Sequence, residues 1–135
     1  MSEDSTKLMP GARNEREIEH FLDTHEVNLV QISGSAAGSQ FTLEQEAYTL
    51  GRGEDADLVI DSEAASRKHA AIEFAGGNFR IRDLGSTNGV LVNGQPVEAA
   101  DLQHGDKIEI GGQVFQFIVD TRDADPEAYP IDLDI

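Results

Sequence analysis

Ala70-Ala71-Ile72-Glu73-Phe74-Ala75-Gly76-Gly77-Asn78-Phe79-Arg80-Ile81-Arg82 decides the fold. Two short runs carrying Ile and Phe flank Ala75-Gly76-Gly77-Asn78, and this arrangement reads as a β-hairpin. The pattern recurs downstream. Val90-Leu91-Val92 and Pro96-Val97 flank Asn93-Gly94-Gln95, the strongest short hairpin signal in the chain. Lys107-Ile108-Glu109-Ile110 and Val114-Phe115-Gln116-Phe117-Ile118 flank Gly111-Gly112. Upstream, Leu58-Val59-Ile60, Tyr48-Thr49-Leu50 and Phe41-Thr42-Leu43 read as strands, and Leu29, Gln31 and Ser33 alternate against Val30 and Ile32. Many short strands separated by Gly and Asn turns, with no long helix between them, predict an all-β sandwich or barrel.

The two ends differ from this middle. Residues 1–26 are polar, and Ile18, Phe21 and Leu22 at i, i+3 and i+4 predict a short helix over Asn14–Thr24. Glu15, Glu17 and Glu19 lie toward its N-terminal end, where the helix dipole favours them. It reads as a capping or frayed helix, with a partner-binding helix as the second reading. From Asp120 onward the chain carries Asp123, Asp125, Glu127, Asp132 and Asp134 with two prolines, the composition of a flexible or loosely docked tail. The expected organisation is a polar N-terminal segment (1–26), a β domain (27–119) and an acidic tail (120–135).

Composition narrows the function. The chain has 135 residues, 39% of them hydrophobic, which suits one domain with a real core. No apolar run approaches the length of a membrane span. Met1-Ser2-Glu3-Asp4 is acidic and leads into no apolar stretch, so no secretory signal is read and a cytoplasmic location is expected. With no cysteine there is neither a disulfide framework nor thiolate chemistry. The net charge of −16 repels nucleic-acid backbones and anionic membrane surfaces. Any phosphate recognition must therefore rest on a few localised donors.

Three loops hold such donors. They are Leu50-Gly51-Arg52-Gly53, Ala65-Ser66-Arg67-Lys68-His69 and Leu84-Gly85-Ser86-Thr87-Asn88-Gly89. Guanidinium groups match phosphate oxygens with planar, permanently charged donors, hydroxyls add short neutral ones, and loop amides complete the shell. Arg52, Ser66, Arg67 and Thr87 supply the first two kinds. Plainer readings stand beside these: Arg52 salt-bridged to Asp55 or Asp57, Lys68 as a solvated rim residue, and Asp57 and Asp61 as strand ends. His69 reads as a buried brace rather than a catalytic base, since no nucleophile or carboxylate arrangement accompanies it. His20, His25 and His104 fit no metal spacing. There is also no Gly-rich nucleotide loop leading into a helix, so no metal, cofactor or catalytic activity is expected.

Gly51-Arg52, Ser66-Arg67-Lys68-His69, Leu84 through Gly89, Asn93-Gly94 and Leu102 through Gly105-Asp106, in this order, resemble the forkhead-associated (FHA) domain. The resemblance runs from Val27 to Val119. It implies a two-sheet β-sandwich of about eleven strands whose loops at one end bind phosphothreonine in a partner protein. By the same resemblance Arg52 contacts the phosphate and the peptide backbone, and the Ser66 hydroxyl donates to a phosphate oxygen. Arg67 adds a phosphate contact, Thr87 donates through its amide or hydroxyl, and the Asn88 side-chain amide grips the peptide backbone. Lys68 stands at the rim, His69 braces its loop from behind, and Gly51 and Gly89 are turn glycines.

The implied function is a phosphothreonine-dependent adaptor or regulator downstream of Ser/Thr kinases, its partner such a kinase or a kinase substrate. A phosphate-independent interaction or oligomerisation scaffold is the alternative. Small FHA signalling proteins also carry an N-terminal threonine that, once phosphorylated, occupies their own site. Thr6 and Thr24 are the candidates here, although neither lies in a paired-threonine sequence. The acidic tail is a further candidate occupant, imitating phosphate near Arg52.

Overall fold

A computed structural model describes residues 10–34 and 36–121. One helix, α1 (Pro10–Thr24), precedes eleven strands. These are β1 (His25–Gln31), β2 (Gln40–Thr42), β3 (Ala47–Gly51), β4 (Leu58–Val59), β5 (Ala70–Ala75), β6 (Asn78–Asp83), β7 (Val90–Val92), β8 (Gln95–Val97), β9 (Ala99–Asp101), β10 (Lys107–Ile110) and β11 (Gln113–Thr121). They form a six-stranded sheet in the order β2-β1-β11-β10-β7-β8 and a five-stranded sheet in the order β4-β3-β5-β6-β9. The fold is the two-sheet sandwich that the FHA resemblance implies, one of the two all-β architectures that the strand pattern predicts. The short β3–β4 pairing is parallel.

Local turn chemistry sets three of the hairpins. Gly76-Gly77 joins β5 to β6, Asn93-Gly94 joins β7 to β8, and Gly111-Gly112 joins β10 to β11. In each turn both central residues have positive φ, and Asn93 (φ 53°) is the one non-glycine among the described residues that does. Such turns twist in the sense that the flanking strands require. They fix register, and register in turn decides which side chains face inward. In β6, Phe79 and Ile81 are buried while Arg80 and Arg82 stand in solvent. Phe115 and Phe117 repeat the pattern in β11.

The core lies between the sheets, with Val27, Leu29, Val90, Ile108, Ile110, Phe115 and Phe117 on one side and Tyr48, Leu50, Ile72, Phe74, Phe79 and Ile81 on the other. Each large side chain buried there contributes roughly 1.5–3 kcal/mol of transfer free energy. Helix α1 packs against β1 and β5. Its Ile18 is buried in the core, and its Phe21 ring lies 5.3 Å from Phe74 and 6.1 Å from Phe79.

The structure departs from the sequence reading at both ends. Helix α1 starts at Pro10, four residues before Asn14, because proline at the first helical position needs no partner for an N–H. Its first turn contains no acidic residue, so Glu15, Glu17 and Glu19 lie beyond the reach of the N-terminal dipole. Strand β1 opens at His25 and β11 runs to Thr121, which makes Asp120 a strand residue opposite Glu26 rather than part of a tail. Thr6 and the rest of the acidic segment lie outside the described residues. Among the described residues, no helix is long and apolar enough to cross a membrane.

Candidate functional site where three loops converge

The end of β3 continues as a ladder against the segment that precedes β5. Leu50 O accepts from the His69 N–H (2.9 Å), Ser66 O from the Arg52 N–H (2.9 Å) and Arg67 O from the Gly53 N–H (3.1 Å). This approach admits no side chain at Gly51, where a Cβ would collide with the Arg67 carbonyl oxygen and sit 2.9 Å from that of Ser66. Gly51 has no positive φ. It is therefore a close-approach glycine, not the turn glycine read from the sequence. From the other side Gly111 presses on Ala65, its Cβ position 2.9 Å from the Ala65 Cβ. The 62–67 segment is thus held between two backbones.

His69 ties the three loops together. It is fully buried, and its Nδ1 accepts from the Ser66 N–H at 2.9 Å. Nε2 must then carry the ring proton and donate to the Gly89 carbonyl at 2.7 Å. Its own carbonyl accepts from the Leu84 N–H at 2.9 Å. Gly89 has a φ of 84°, which a glycine tolerates without strain.

The third loop is shaped by two residues to which the sequence reading gave no role. Asp83 Oδ1 accepts from the Ser86 N–H (2.9 Å), and Ser86 Oγ accepts from the Gly89 N–H (2.9 Å). Short polar side chains bonding the backbone three residues on are a turn signal that sequence can show.

Contacts between loops then place the candidate binding residues. The Thr87 N–H donates to Ser66 Oγ (3.1 Å), Asn88 Nδ2 to the Ala64 carbonyl (2.8 Å), and Arg52 Nε to the Ala65 carbonyl (2.9 Å). Arg52, Ser66, Thr87 and Asn88 are thereby brought together across residues far apart in sequence. Because the Thr87 amide is committed to Ser66, its hydroxyl is the donor that remains for a ligand. Asn88 keeps one amide proton and its carbonyl oxygen. The Ser66 hydroxyl accepts from Thr87, so its own proton points to another acceptor.

Among the described residues the charges of the site form no ion pair. Arg52, Arg67 and Lys68 are exposed, and among the described residues none of them forms an ion pair. Arg52 engages neither Asp55 nor Asp57, and Asp57 Oδ2 instead accepts from the Thr49 N–H at 2.8 Å. The arginines of β6 behave otherwise. Arg80 lies 3.4 Å from Asp101 and Arg82 2.8 Å from Glu73. Thr24 is not part of the cluster. It ends α1, where its Oγ1 lies 2.9 Å from His25 Nδ1, at the opposite end of β1 from Gln31 and the loops.

The FHA domain model matches residues 48–111, which span all three loops. The glycogen accumulation regulator GarA of Mycolicibacterium smegmatis is 39% identical over 97 residues, covering 72% of this chain and 61% of that protein. The oxoglutarate dehydrogenase inhibitor of Corynebacterium jeikeium is 38% identical over 96 residues, covering 71% of this chain and 67% of that protein. This chain belongs to the FHA family. The match thus spans less than two thirds of the length of the M. smegmatis relative.

Solved FHA structures agree. One, from a study of phosphothreonine-dependent FHA domain interactions, superposes with a TM-score of 0.64 at 33% identity, covering 69% of this chain and 95% of that one. Mycobacterium tuberculosis EmbR in complex with a low-affinity phosphopeptide gives a TM-score of 0.64 at 38% identity, covering 69% of this FHA chain and 24% of that one.

Proposed function

We propose that this FHA protein is a phosphothreonine-dependent peptide-binding module that acts as a signalling adaptor or regulator downstream of Ser/Thr kinases. The observation that carries the reading is exposed Arg52, Arg67 and Lys68 on adjoining loops, none in an ion pair among the described residues, in a chain of net charge −16. Cations with no ion pair among the described residues of so acidic a protein call for an anion. The Ser66 and Thr87 hydroxyls and the Asn88 amide give that anion directional donors.

Recognition, not catalysis, is the mechanism. A phosphothreonine carries close to two negative charges. Each charged hydrogen bond to it contributes roughly 1.5–3 kcal/mol, against the cost of ordering an extended peptide. The balance is a Kd near the micromolar range, about −8 kcal/mol. Arg52 and Ser66 hold the phosphate, Arg67 adds a further phosphate contact with Lys68 at the rim, and Thr87 donates through its hydroxyl. Asn88 holds the peptide backbone. The partner is a phosphothreonine-bearing protein, a Ser/Thr kinase or its substrate, met in the cytoplasm. The names of the GarA and oxoglutarate dehydrogenase inhibitor relatives support a regulator without catalytic activity of its own.

The test is a phosphothreonine peptide library, with Arg52→Ala protein and unphosphorylated peptides as controls. Binding that disappears with either control supports the reading. Binding that survives both shows a phosphate-independent scaffold.

A further inference from the structure

Strands β2 and β8 are the outer strands of one sheet and β4 and β9 those of the other, each paired on one side only among the described residues. An open edge invites another strand, and proteins defend such edges with proline or charge. Three of these edges are defended. Strand β8 carries Pro96, β9 follows Glu98 and ends on Asp101, and β4 lies between Asp57 and Asp61. Strand β2, Gln40-Phe41-Thr42, has no such guard. It belongs to a stretch, Val27 to Leu43, without a single Asp, Glu, Lys or Arg, in a chain of which 27% of the residues are charged.

Apolar surface gathers at the same edge. Phe41 lines an open groove with Leu29, Leu58 and Phe115. Among the described residues the exposed large aliphatic side chains are Ile32 and Val59. Ile32 follows β1 within the uncharged stretch, and Val59 adjoins the groove-lining Leu58.

The backbone of β2 is set for one pairing. Ser39 and Leu43 bond inward, toward β1: the Gln31 N–H donates to Ser39 O (2.9 Å) and the Leu43 N–H to Val27 O (2.9 Å). Bonding residues alternate along an antiparallel strand, so the N–H and C=O groups of Gln40 and Thr42 point outward. We infer that β2 pairs antiparallel with β2 of a second copy of this chain, about a two-fold axis at Phe41. Gln40 of each copy then stands opposite Thr42 of the other, and each such pair exchanges both backbone hydrogen bonds. Phe41 meets Phe41 of the second copy at the closer, non-bonded spacing, as an aromatic cross-strand pair over the groove.

Charge selects this edge for a second copy. A two-fold axis sets a surface against itself, and like charges brought together repel. At β4, or at β9, the same operation brings carboxylates of both copies to the shared edge. At β2 the nearest carboxylate in sequence, Glu44, falls opposite Gly38 of the second copy. Its own counterpart lies roughly 20 Å away at strand rise, beyond a Debye length of about 8 Å. The exposed Arg52, Arg67 and Lys68 also attract the carboxylates of another copy. That contact joins two different surfaces and weakens with salt, whereas pairing at β2 works against the repulsion between two copies of charge −16 and strengthens with salt.

Sedimentation equilibrium of the full-length chain tests this. A concentration-dependent dimer is expected, its association rising with ionic strength. Gln40→Pro deletes one outward N–H per copy and leaves the bonds to β1 in place, so it should weaken the dimer at least about tenfold. Arg52→Ala should leave association unchanged. A monomer at every ionic strength, up to about 1 mM protein, overturns the inference. So does a dimer that weakens with salt and is lost in Arg52→Ala, which assigns the contact to the basic cluster. A Gln40→Pro dimer as tight as the parent overturns it too. Cross-linking gives a readout independent of that variant's folding, because the chain has no cysteine. Phe41→Cys sets two thiols face to face at the axis, and its disulfide-linked dimer should form at least about tenfold faster than that of Ala99→Cys on β9. Equal rates overturn the inference.

Discussion

The Thr87 N–H donates to the Oγ of Ser66 across 3.1 Å, joining the loop after β6 to the loop before β5. The hydroxyl accepts from that amide and keeps its own proton to donate. One serine side chain therefore joins the two loops and, in the proposed function, also donates to the phosphate.

Replacing Ser66 by Ala removes both functions. Phosphothreonine-peptide affinity should fall by about 1.5–3 kcal/mol, roughly 10- to 150-fold, the range for a hydrogen bond to a charged group. Titration calorimetry with a phosphopeptide checks this, and an unchanged Kd would show that Ser66 serves the loop alone. Ser66 is only part-buried, so the accompanying change in melting temperature should be small.

Gly51→Ala tests the close approach of β3 to the 66–67 backbone. The new methyl meets the Arg67 carbonyl, a backbone atom held in a ladder, so it cannot be relieved by a rotamer change. Overpacking of this kind costs about 1–3 kcal/mol or more. Urea unfolding should show a lower midpoint with the slope unchanged, and phosphopeptide binding should weaken as the segment carrying Ser66 and Arg67 shifts.

Asn93→Ala is the complementary variant, damaging the fold away from the site. It places alanine at a φ of 53° and removes two side-chain hydrogen bonds, from Asn93 Nδ2 to Asp106 Oδ1 (2.9 Å) and from the Lys107 N–H to Asn93 Oδ1 (3.0 Å). A left-handed backbone costs a non-glycine residue roughly 1–2 kcal/mol, and Asn bears it better than Ala. Thermal melting should fall clearly while phosphopeptide affinity at 25 °C stays unchanged.

Glu73 and Arg82 form a diagonal pair across β5 and β6. The hydrogen bond from Arg82 holds the Glu73 carboxyl below its ordinary value of 4.5, with the Arg82 charge acting in the same direction. A depressed carboxylate pKa stabilises the fold above the unfolded value and loses that contribution as pH falls through the lower, folded one. Glu73→Gln should therefore lower the melting temperature slightly near neutral pH, and the difference from the parent protein should vanish in acid below the folded pKa of Glu73. The effect is small because both side chains are partly exposed to solvent. A difference that grows in acid would contradict this sign.

What could be read from sequence was local. Gly76-Gly77, Asn93-Gly94 and Gly111-Gly112 demand positive φ, and the alternation of Phe79 and Ile81 with Arg80 and Arg82 assigns faces, so the hairpins and the all-β class follow from short-range sterics. Helix α1 was legible from Ile18, Phe21 and Leu22, but not its start, because Pro10 adds no periodic signal. Strand β9 was missed altogether: Ala99-Ala100-Asp101 has neither β-branching nor a pattern, and it is a strand because β6 offers it an edge.

The site divides in the same way. The residue types in the three loops, and their resemblance to FHA motifs, single out Arg52, Ser66, Arg67, Thr87 and Asn88 as candidates from sequence. Tertiary structure alone decided that Gly51 is glycine for the sake of Arg67, that the Thr87 amide is spent on Ser66, and that Arg52 stays clear of Asp55 and Asp57. Each of these depends on which distant backbone lies within a few ångströms, and that follows from how two sheets pack. Turn sterics are written in neighbouring residues, whereas a contact between residues 66 and 87 exists only once the core has folded.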